Sequence, residues 1–381
     1  MTVTVTQAKN VNDIRTFAEL PYEAYRGEPF WRAPLRMERK EHLDPKKNHA
    51  LAQLEPSFFL AYRDGQVTGR IASFVNPAHQ ARYQDQTGHF GFLDIVQRDD
   101  GETTAALMKA AEDDLKAKGM ARIGGPYSFS VNDECGLLVD GFDSPPCVMM
   151  PYGRSDLPQM LEKSGYEKAM DTYAFRFMMG ESYSIPPIIS RMKQRFEKDP
   201  TITARPLNMS NLHEDIALIV DIFNDAWSNN WGFIPFSDEE VKFLADTMKP
   251  VLQPESLAIA FIDGEPASFS LIIPNLNEAT QGLDGRLLPF GWATLLYRLK
   301  VAGVKSARVP LAGTRRKFHK TRRGMTASIG AWETCLRAQH AKGIREVEFS
   351  WVLETNQDLI GLALTYDCER YKTYRIYEKA L

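Results

Sequence analysis

The sequence predicts an α/β (α+β) protein built as two similar halves in tandem, and three observations carry that expectation. The chain has 381 residues, 44% hydrophobic and 25% charged, which is long for one core and of ordinary soluble composition. Three landmarks recur in the same order. Thr2-Val3-Thr4 matches Thr201-Ile202-Thr203 at an offset of 199, and FFLAYRDGQVTGRIASF around Asp64-Gly65 matches LAIAFIDGEPASFSLII around Asp263-Gly264 at 199. Thr172-Tyr173 matches Thr373-Tyr374 at 201. An Asp-Gly pair alone is a generic hairpin signal, but three matches in the same order at nearly the same offset point to duplication. Finally, each half reads strand, helix or helices, hairpin, strand, helix, strand, helix, strand. The expected division is a domain at 1–180, a linker at 181–200 around Pro186-Pro187, and a second domain at 201–381.

In the first half, alternation predicts a strand from Val3 to Ala8, followed by a helix from Asn12 into Tyr25 and a basic, Pro-interrupted loop. Phe58 to Tyr62 and Val67 to Val75 form the hairpin, and Gly91 to Val96 a further strand. The acidic run Asp99-Asp100-Gly101-Glu102 opens a helix with Ala106, Leu107, Ala110, Ala111 and Leu115 at helical spacing. Acids in a first turn suit the helix dipole but repel a phosphate. SFSVNDECGLL reads as a polar loop, and PQMLEKSGYEKAMDTYAFRF as a helix entering a closing strand.

The second half repeats this with a strand Thr201 to Pro206, helices Leu212 to Trp227 and Ser237 to Met248, and the hairpin Leu257 to Ile273. An insertion of about 25 residues, containing LLPFGWATLLYRLK, precedes the strand Arg308 to Ala312, because Lys118-Gly119 and Lys342-Gly343 are 224 apart. A helix from Met325 to Ala341, a strand from Val347 to Val352, a short helix after Asn356 and the strand RYKTYRIYEK complete it.

Composition narrows function. A net charge of −3 argues against general nucleic-acid binding, yet eleven Lys and Arg and no acid lie between Arg286 and Trp332. Such a local positive block suits an anionic group such as a phosphate. Cys135, Cys147, Cys335 and Cys368 lack CxxC spacing, so neither disulfides nor a metal site is expected. MTVTVTQAKN has no apolar signal region, and nowhere do about 18 uncharged apolar residues run together, so a cytoplasmic protein without a spanning helix is expected.

KFHKTRRGMTASIGAW, entered from a strand, resembles the donor loop of the GCN5-related N-acetyltransferase (GNAT) family. That family carries Gln/Arg-x-x-Gly-x-Gly/Ala there, and its backbone N–H groups hold the pyrophosphate of acyl-CoA. Orphan N–H groups at a positive helix end suit phosphate, and glycine allows close approach. The resemblance implies two tandem GNAT-like domains, each a mixed, mostly antiparallel sheet flanked by helices, with acyl-CoA as co-substrate and no tightly bound cofactor. It assigns Arg322, Arg323, Gly324, Met325 and Thr326 to the donor loop, and Leu311 and Gly313 of VPLAGT to the donor side. Thr321 and Thr326 depart from the pattern. Asn356, after SWVLET, takes the place of the Asn that faces the pantetheine arm. Ala363 falls where the family's acid Tyr is usual, which leaves Tyr366 or Tyr371 to reprotonate the thiolate.

Only a neutral amine attacks a thioester, so a general base is needed. Glu348 and Glu354 bracket the last strand and are either that base or strand-end carboxylates. In the first half RDDGETT replaces the donor loop, so that domain is expected not to bind CoA. Asn132 and Glu134 of SVNDEC are either site residues or satisfied structural polar groups, and Cys135, with no His placed beside it, is expected to be inert.

NDECGLLVDGF, GYEKAMDTYAFR, AWSNNWGFIPFS, VPLAGT, SWVLETN and YKTYRIYEK resemble, over nearly the full length, a bacterial subfamily of tandem GNAT-like proteins. That subfamily includes the bacterial ceramide synthases, and the resemblance implies transfer of an acyl group from CoA to a lipid amine, a long-chain base. An acetyltransferase of small or peptide amines and a non-catalytic CoA- or lipid-binding protein are the alternatives. Leu287, Leu288, Phe290, Trp292, Leu295, Leu296, Tyr297 and Leu299, with Arg298 and Lys300, either cover the core or line an acyl tunnel, or else meet an anionic membrane peripherally, at the inner membrane. Half of the eleven cations at about 1 kcal/mol each would contribute on the order of 5 kcal/mol of attraction.

Overall fold

In a computed structural model the chain is described over residues 2–48, 50–98, 100–236, 241 and 252–381, so the helix expected at Ser237–Met248 lies outside the described residues. It folds as two compact units, one of residues up to Tyr173 with Ala279–Arg298 and Tyr371–Leu381, the other of Ala174–Glu278 with Leu299–Arg370.

The first unit opens with β1 (Thr4–Gln7), α1 (Val11–Glu19) and α2 (Pro21–Ala24). The single helix expected from Asn12 to Tyr25 is interrupted because Pro21 has no N–H for the carbonyl of Phe17, which accepts from Arg70 Nη1 at 2.6 Å instead. Next come α3 (Arg36–His42), α4 (Ala50–Leu54), β2 (Ser57–Arg63), β3 (Gln66–Phe74), α5 (Pro77–Tyr83), β4 (Thr87–Ile95) and α6 (Gly101–Ala117). The β2–β3 turn holds Asp64 at φ 53° and Gly65 at φ 77°, the left-handed pair that an Asp-Gly hairpin requires.

After β5 (Arg122–Gly125), the expected polar loop is instead three short strands, β6 (Tyr127–Ser128), β7 (Ser130–Cys135) and β8 (Leu137–Asp140). Val131 and Cys135 turn inward while Ser130 and Asn132 to Glu134 stay half-buried, and Tyr127 pairs with Cys135. Polar side chains on one strand face disguise pairing as a loop. With α7 (Leu157–Lys163) and β9 (Glu167–Met178), the strand order of this unit is β1-β2-β3-β4-β5, completed by the last strand of the chain, with β8 on that strand. One core packs Leu107, Met108, Ala111 and Leu115 of α6 against Ile71, Phe90 and Ile95, and another packs Phe17, Ala18 and Leu20 against Leu60, Phe74 and Phe129.

The second unit takes Ala174–Met178 of β9, α8 (Pro187–Lys198), β10 (Ile202–Pro206), α9 (Leu212–Trp227), β11 (Leu257–Ile262) and β12 (Glu265–Pro274). α10 (Leu276–Ala279) and then α11 (Gly291–Tyr297), which belongs to the first unit, precede β13 (Ser306–Thr314), α12 (Arg322–Ala341), β14 (Glu346–Leu353), α13 (Gln357–Thr365) and β15 (Glu369–Ala380), whose residues from Tyr371 onward also belong to the first unit. The strand order is β10-β11-β12-β13-β14 followed by the end of β9. α12 buries Ala327, Ile329, Ala331, Cys335 and Leu336, and α8 packs on it so closely that a Cβ on Gly330 would lie 2.5 Å from the Phe196 ring. The mixed α/β fold is as expected, while Ala279–Arg298 and Tyr371–Leu381 of the second half are counted with the first unit.

Candidate active site

The second unit is organised around two strands that start together and part. β13 and β14 run parallel and pair from Ser306 opposite Glu346 to Val309 opposite Phe349. Beyond that point β13 stays paired to β12 as far as Thr314, but its register with β14 has ended. Half-buried Leu311, Ala312 and Gly313 lie on the stretch that has left β14. An unpaired strand edge is a ready partner for an extended chain carrying amides. Trp227 of α9 and Trp351 of β14 meet beside this stretch at 5.6 Å between rings, and Trp227 Nε1 donates to the Ala312 carbonyl at 3.0 Å. Gly313 faces α9: a Cβ there would be 3.0 Å from Phe269 Cε1 and 3.2 Å from Ala226 Cβ.

The loop after β13 delivers the N-terminus of α12. Thr321 caps it, its hydroxyl accepting from the Gly324 N–H at 3.0 Å, so the expected pattern position is occupied by a capping residue. Gly324 and Thr326 are buried, Met325 is exposed, and Thr326 Oγ1 donates back to the Arg322 carbonyl at 2.9 Å. The positive block is answered mostly from within. Arg315 pairs with Asp221, Arg316 with Asp225 at 3.2 Å, Lys317 with Glu265, and Arg323 with Asp263 at 2.6 Å. Arg323 also donates to Thr201 Oγ1 at 2.7 Å. Arg322 is exposed and has no side-chain partner among the described residues. Of the two arginines expected at the donor loop, Arg323 is held by these partners and Arg322 is not.

Glu348 lies where the parallel pairing ends, opposite Arg308. Phe349 packs on Trp332 of α12 at 4.6 Å, so its neighbour Glu348 points to the other face of the sheet. Arg308, Glu348 and Ser350 are all buried. Arg308 Nε donates to Ser350 Oγ at 2.8 Å and Nη2 to the Ser350 carbonyl at 3.1 Å, while the Ser350 hydroxyl donates to Glu348 Oε1. Arg308 and Ser350 were not expected, and no local signal marks them, because they meet Glu348 only through strand register. Glu354 sits half-buried after β14, and Asn356 caps α13 by accepting from the Leu359 N–H at 3.1 Å.

No protein-family model matches the chain. It is 38% identical over 98% of its length to Protein YghO of Escherichia coli (strain K12), spanning 94% of that protein. It is 38% identical over its whole length to the Bacterial ceramide synthase of Caulobacter vibrioides (strain NA1000 / CB15N), spanning 98% of it. The chain belongs to the tandem GNAT-fold N-acyltransferase family. Among solved structures, the tandem GNAT protein from the clavulanic acid biosynthesis pathway aligns over 99% of this chain and 98% of its own, with a TM-score of 0.57 at 12% identity, a likeness of fold.

In this tandem GNAT acyltransferase, Tyr366 lies apart from the parted strands' polar cluster. It is buried, donates to Glu333 Oε1 at 2.7 Å, and shares that oxygen with Tyr183 at 2.9 Å. Burial and then the neighbouring Glu333 push its phenol far above the usual range. Burial likewise raises the Glu333 carboxyl, against the two hydroxyls that donate to it. Both effects favour the protonated form of the group concerned.

The corresponding place in the first unit is built differently. β4 and β5 pair in parallel only from Thr87 to His89, and β6 then crosses so close that a Cβ on Gly91 would sit 1.7 Å from the Tyr127 carbonyl oxygen. Asp100 caps α6, and Arg63 bonds to both Asp100 and Glu102. Asn132 and Glu134 lie on β7. Burial would raise the Glu134 carboxyl, but the charge and hydrogen bond of Arg39 outweigh it and hold it below its usual value. His42 stacks on Phe129 at 5.1 Å, and burial, then Arg39, push its pKa down to about 4. Arg39 and His42 were not expected, and their three-residue spacing on α3 is the sole sequence sign of a shared face.

Proposed function

We propose that this chain transfers a fatty acyl group from acyl-CoA to the amine of a sphingoid-type long-chain base, forming a ceramide. The reading is carried by the parting of β13 from β14 beside the capped N-terminus of α12, in a chain alike over its whole length to a protein named a bacterial ceramide synthase. The acyl-CoA arm lies along Leu311 to Gly313, its pyrophosphate against the N–H groups of Arg322 to Met325 beside Thr326 with Arg322 as counter-charge, and Asn356 faces the pantetheine. The neutral amine attacks the thioester carbon, its N–H proton passes to Glu348 or Glu354 directly or through water, and the C–S bond breaks to release CoA thiolate. The first unit holds no CoA, because its own chain fills the strand gap and acids open its helix.

The acceptor comes from a lipid surface. Leu288, Phe290 and Trp292 are 80%, 76% and 50% exposed around the start of α11. Exposed large apolar side chains grouped in this way mark an interface, and here the segment dips into the headgroup boundary of an anionic membrane. No helix among the described residues is long and apolar enough to cross a membrane.

The test is an assay of purified protein against acyl-CoA donors from acetyl to long-chain, with long-chain bases and short amines as acceptors, read by mass spectrometry. N-acylated long-chain base from a long-chain donor is expected. Turnover confined to acetyl-CoA and short amines would overturn the reading.

A further inference from the structure

The open edge of β13 is already taken at one point by the chain itself. The Arg315 N–H donates to the Ala267 carbonyl at 2.8 Å, and from there β12 and β13 stay in register through Ser268 opposite Thr314 and Phe269 opposite Gly313 to Ser270 opposite Ala312. In antiparallel pairing, residues whose backbone groups bond across the pair alternate with residues whose groups point outward. Arg315 bonds across, so Gly313 does too, and Ala312 points outward to the side on which β13 and β14 have parted. The carbonyl that accepts from Trp227 Nε1 at 3.0 Å therefore belongs to the edge along which the donor arm is laid.

Trp227 reaches this carbonyl from the last residue of α9. Its half-buried ring leans on Phe223 at 4.9 Å and on Trp351 at 5.6 Å. An extended arm that pairs with the edge donates its own amide N–H to an outward carbonyl, and at Ala312 the indole N–H holds that place. A carbonyl oxygen can accept twice, so the conflict is one of room. An indole nitrogen 3.0 Å from the oxygen brings its ring onto the edge. α9 leaves little slack, since a Cβ on the next strand residue, Gly313, would lie 3.2 Å from the Cβ of Ala226. Arm and indole compete for one acceptor.

We infer that Trp227 is a specificity-determining residue for the donor: its indole holds the Ala312 carbonyl and yields it only to the amide N–H of a pantetheine arm, so that a donor must carry that amide to open the edge. The inference rests on the acyl-CoA reading proposed above and adds to it the side chain that controls entry of the donor.

The test compares the full chain with Trp227→Phe, which keeps a ring against Phe223 and Trp351 but has no N–H. Both are titrated calorimetrically with coenzyme A and with its nucleotide half alone, the 3′-phosphate of ADP, which lacks the arm. Coenzyme A is expected to bind the variant about threefold to tenfold more tightly than the native chain, because the arm no longer displaces a hydrogen bond. The nucleotide half is expected to bind both alike. A side chain that merely supported the strand would give the opposite sign, with coenzyme A bound more weakly by the variant. Unchanged or weaker coenzyme A binding by a folded variant overturns the inference, as does a tightening shared by the nucleotide half. The native chain supplies a second readout that needs no variant. With its indole nitrogens isotope-labelled for NMR, one indole N–H proton is expected to move upfield on saturation with coenzyme A, as a proton losing its acceptor does, and to stay in place with the nucleotide half. Absence of any such shift overturns the inference while coenzyme A binding leaves the acyl-CoA reading standing. Failure of the native chain to bind coenzyme A at all sinks that reading and this inference together.

Discussion

A Cβ on Gly324 would stand 2.1 Å from the carbonyl oxygen of Phe318, so the first turn of α12 is pressed onto the loop that feeds it. The same carbonyl accepts from Thr321 Oγ1 at 2.8 Å, and Thr321 in turn caps Gly324. Loop and helix start are one rigid cradle. Gly324→Ala forces backbone to move, and overpacking of this kind costs about 1–3 kcal/mol. Acyl-CoA affinity is expected to fall roughly tenfold or more as the amides are re-aimed. Gly313→Ala meets only the side chains of Phe269 and Ala226, at 3.0 and 3.2 Å, and is expected to cost less. Calorimetric titration of acyl-CoA into both variants checks the order, and equal losses would mean that the donor does not sit on this helix start.

Tyr366 and Glu333 supply a second prediction. Because Tyr366 donates to a buried carboxyl group that Tyr183 also caps, its hydroxyl serves the interior of the second unit. Tyr366→Phe removes one of the two donors and is expected to lower stability by about 1–2 kcal/mol. Activity should stay within about threefold, with the pH–rate profile unmoved. A loss of a hundredfold or more in rate at unchanged melting temperature would instead assign this hydroxyl to the leaving thiolate.

Acid should weaken the first unit. Burial lowers the pKa of His42 to about 4 and that of His89 to about 3, from an ordinary 6.5, with Arg39 and His79 adding to the respective effects. The unfolded chain therefore binds more protons than the folded one between pH 6.5 and about 4, so the stabilisation is present above 6.5 and lost as pH falls through that window. Each histidine contributes on the order of 3 kcal/mol by this linkage. Thermal unfolding followed from pH 7 to pH 4 should show the midpoint falling, and His89→Asn should flatten the fall. A midpoint independent of pH across this window would contradict it.

Residues whose partners are near in sequence were legible. The Asp64-Gly65 and Asp263-Gly264 turns, the acidic start of α6 and its apolar spacing all depend on neighbours within a few positions. The strands of the SVNDEC stretch were not, because outward polar residues look like a loop until Tyr127 is known to pair with Cys135. Arg308, Ser350 and Glu348 become one cluster only through the parallel register of β13 and β14, and Arg39 finds Glu134 across 95 residues of chain. The positive block was legible as composition but misleading as a field, because its partners Asp221, Asp225, Glu265 and Asp263 lie far outside the window in which it is counted.

That last point shapes the membrane prediction. Most of the donor-loop cations are paired, and Arg298 is spent on the carbonyls of Ala279 and Gln281 at 3.0 and 2.6 Å. Attraction to anionic headgroups should therefore fall short of what eleven free cations would supply, leaving exposed Leu288 and Phe290 as the main anchor. Burying one such side chain contributes about 1.5–3 kcal/mol. The double variant Leu288→Ala, Phe290→Ala is expected to lower partitioning onto phosphatidylglycerol-containing vesicles on the order of a hundredfold. Its melting temperature should hardly change, because both side chains stand in solvent. Raising salt from about 0.05 to 0.5 M should weaken vesicle binding by less than about tenfold, since screening acts on charges and not on apolar burial. Cosedimentation at the two salt concentrations decides it: a steep salt dependence with no effect of the double variant would place the attraction in the cations after all.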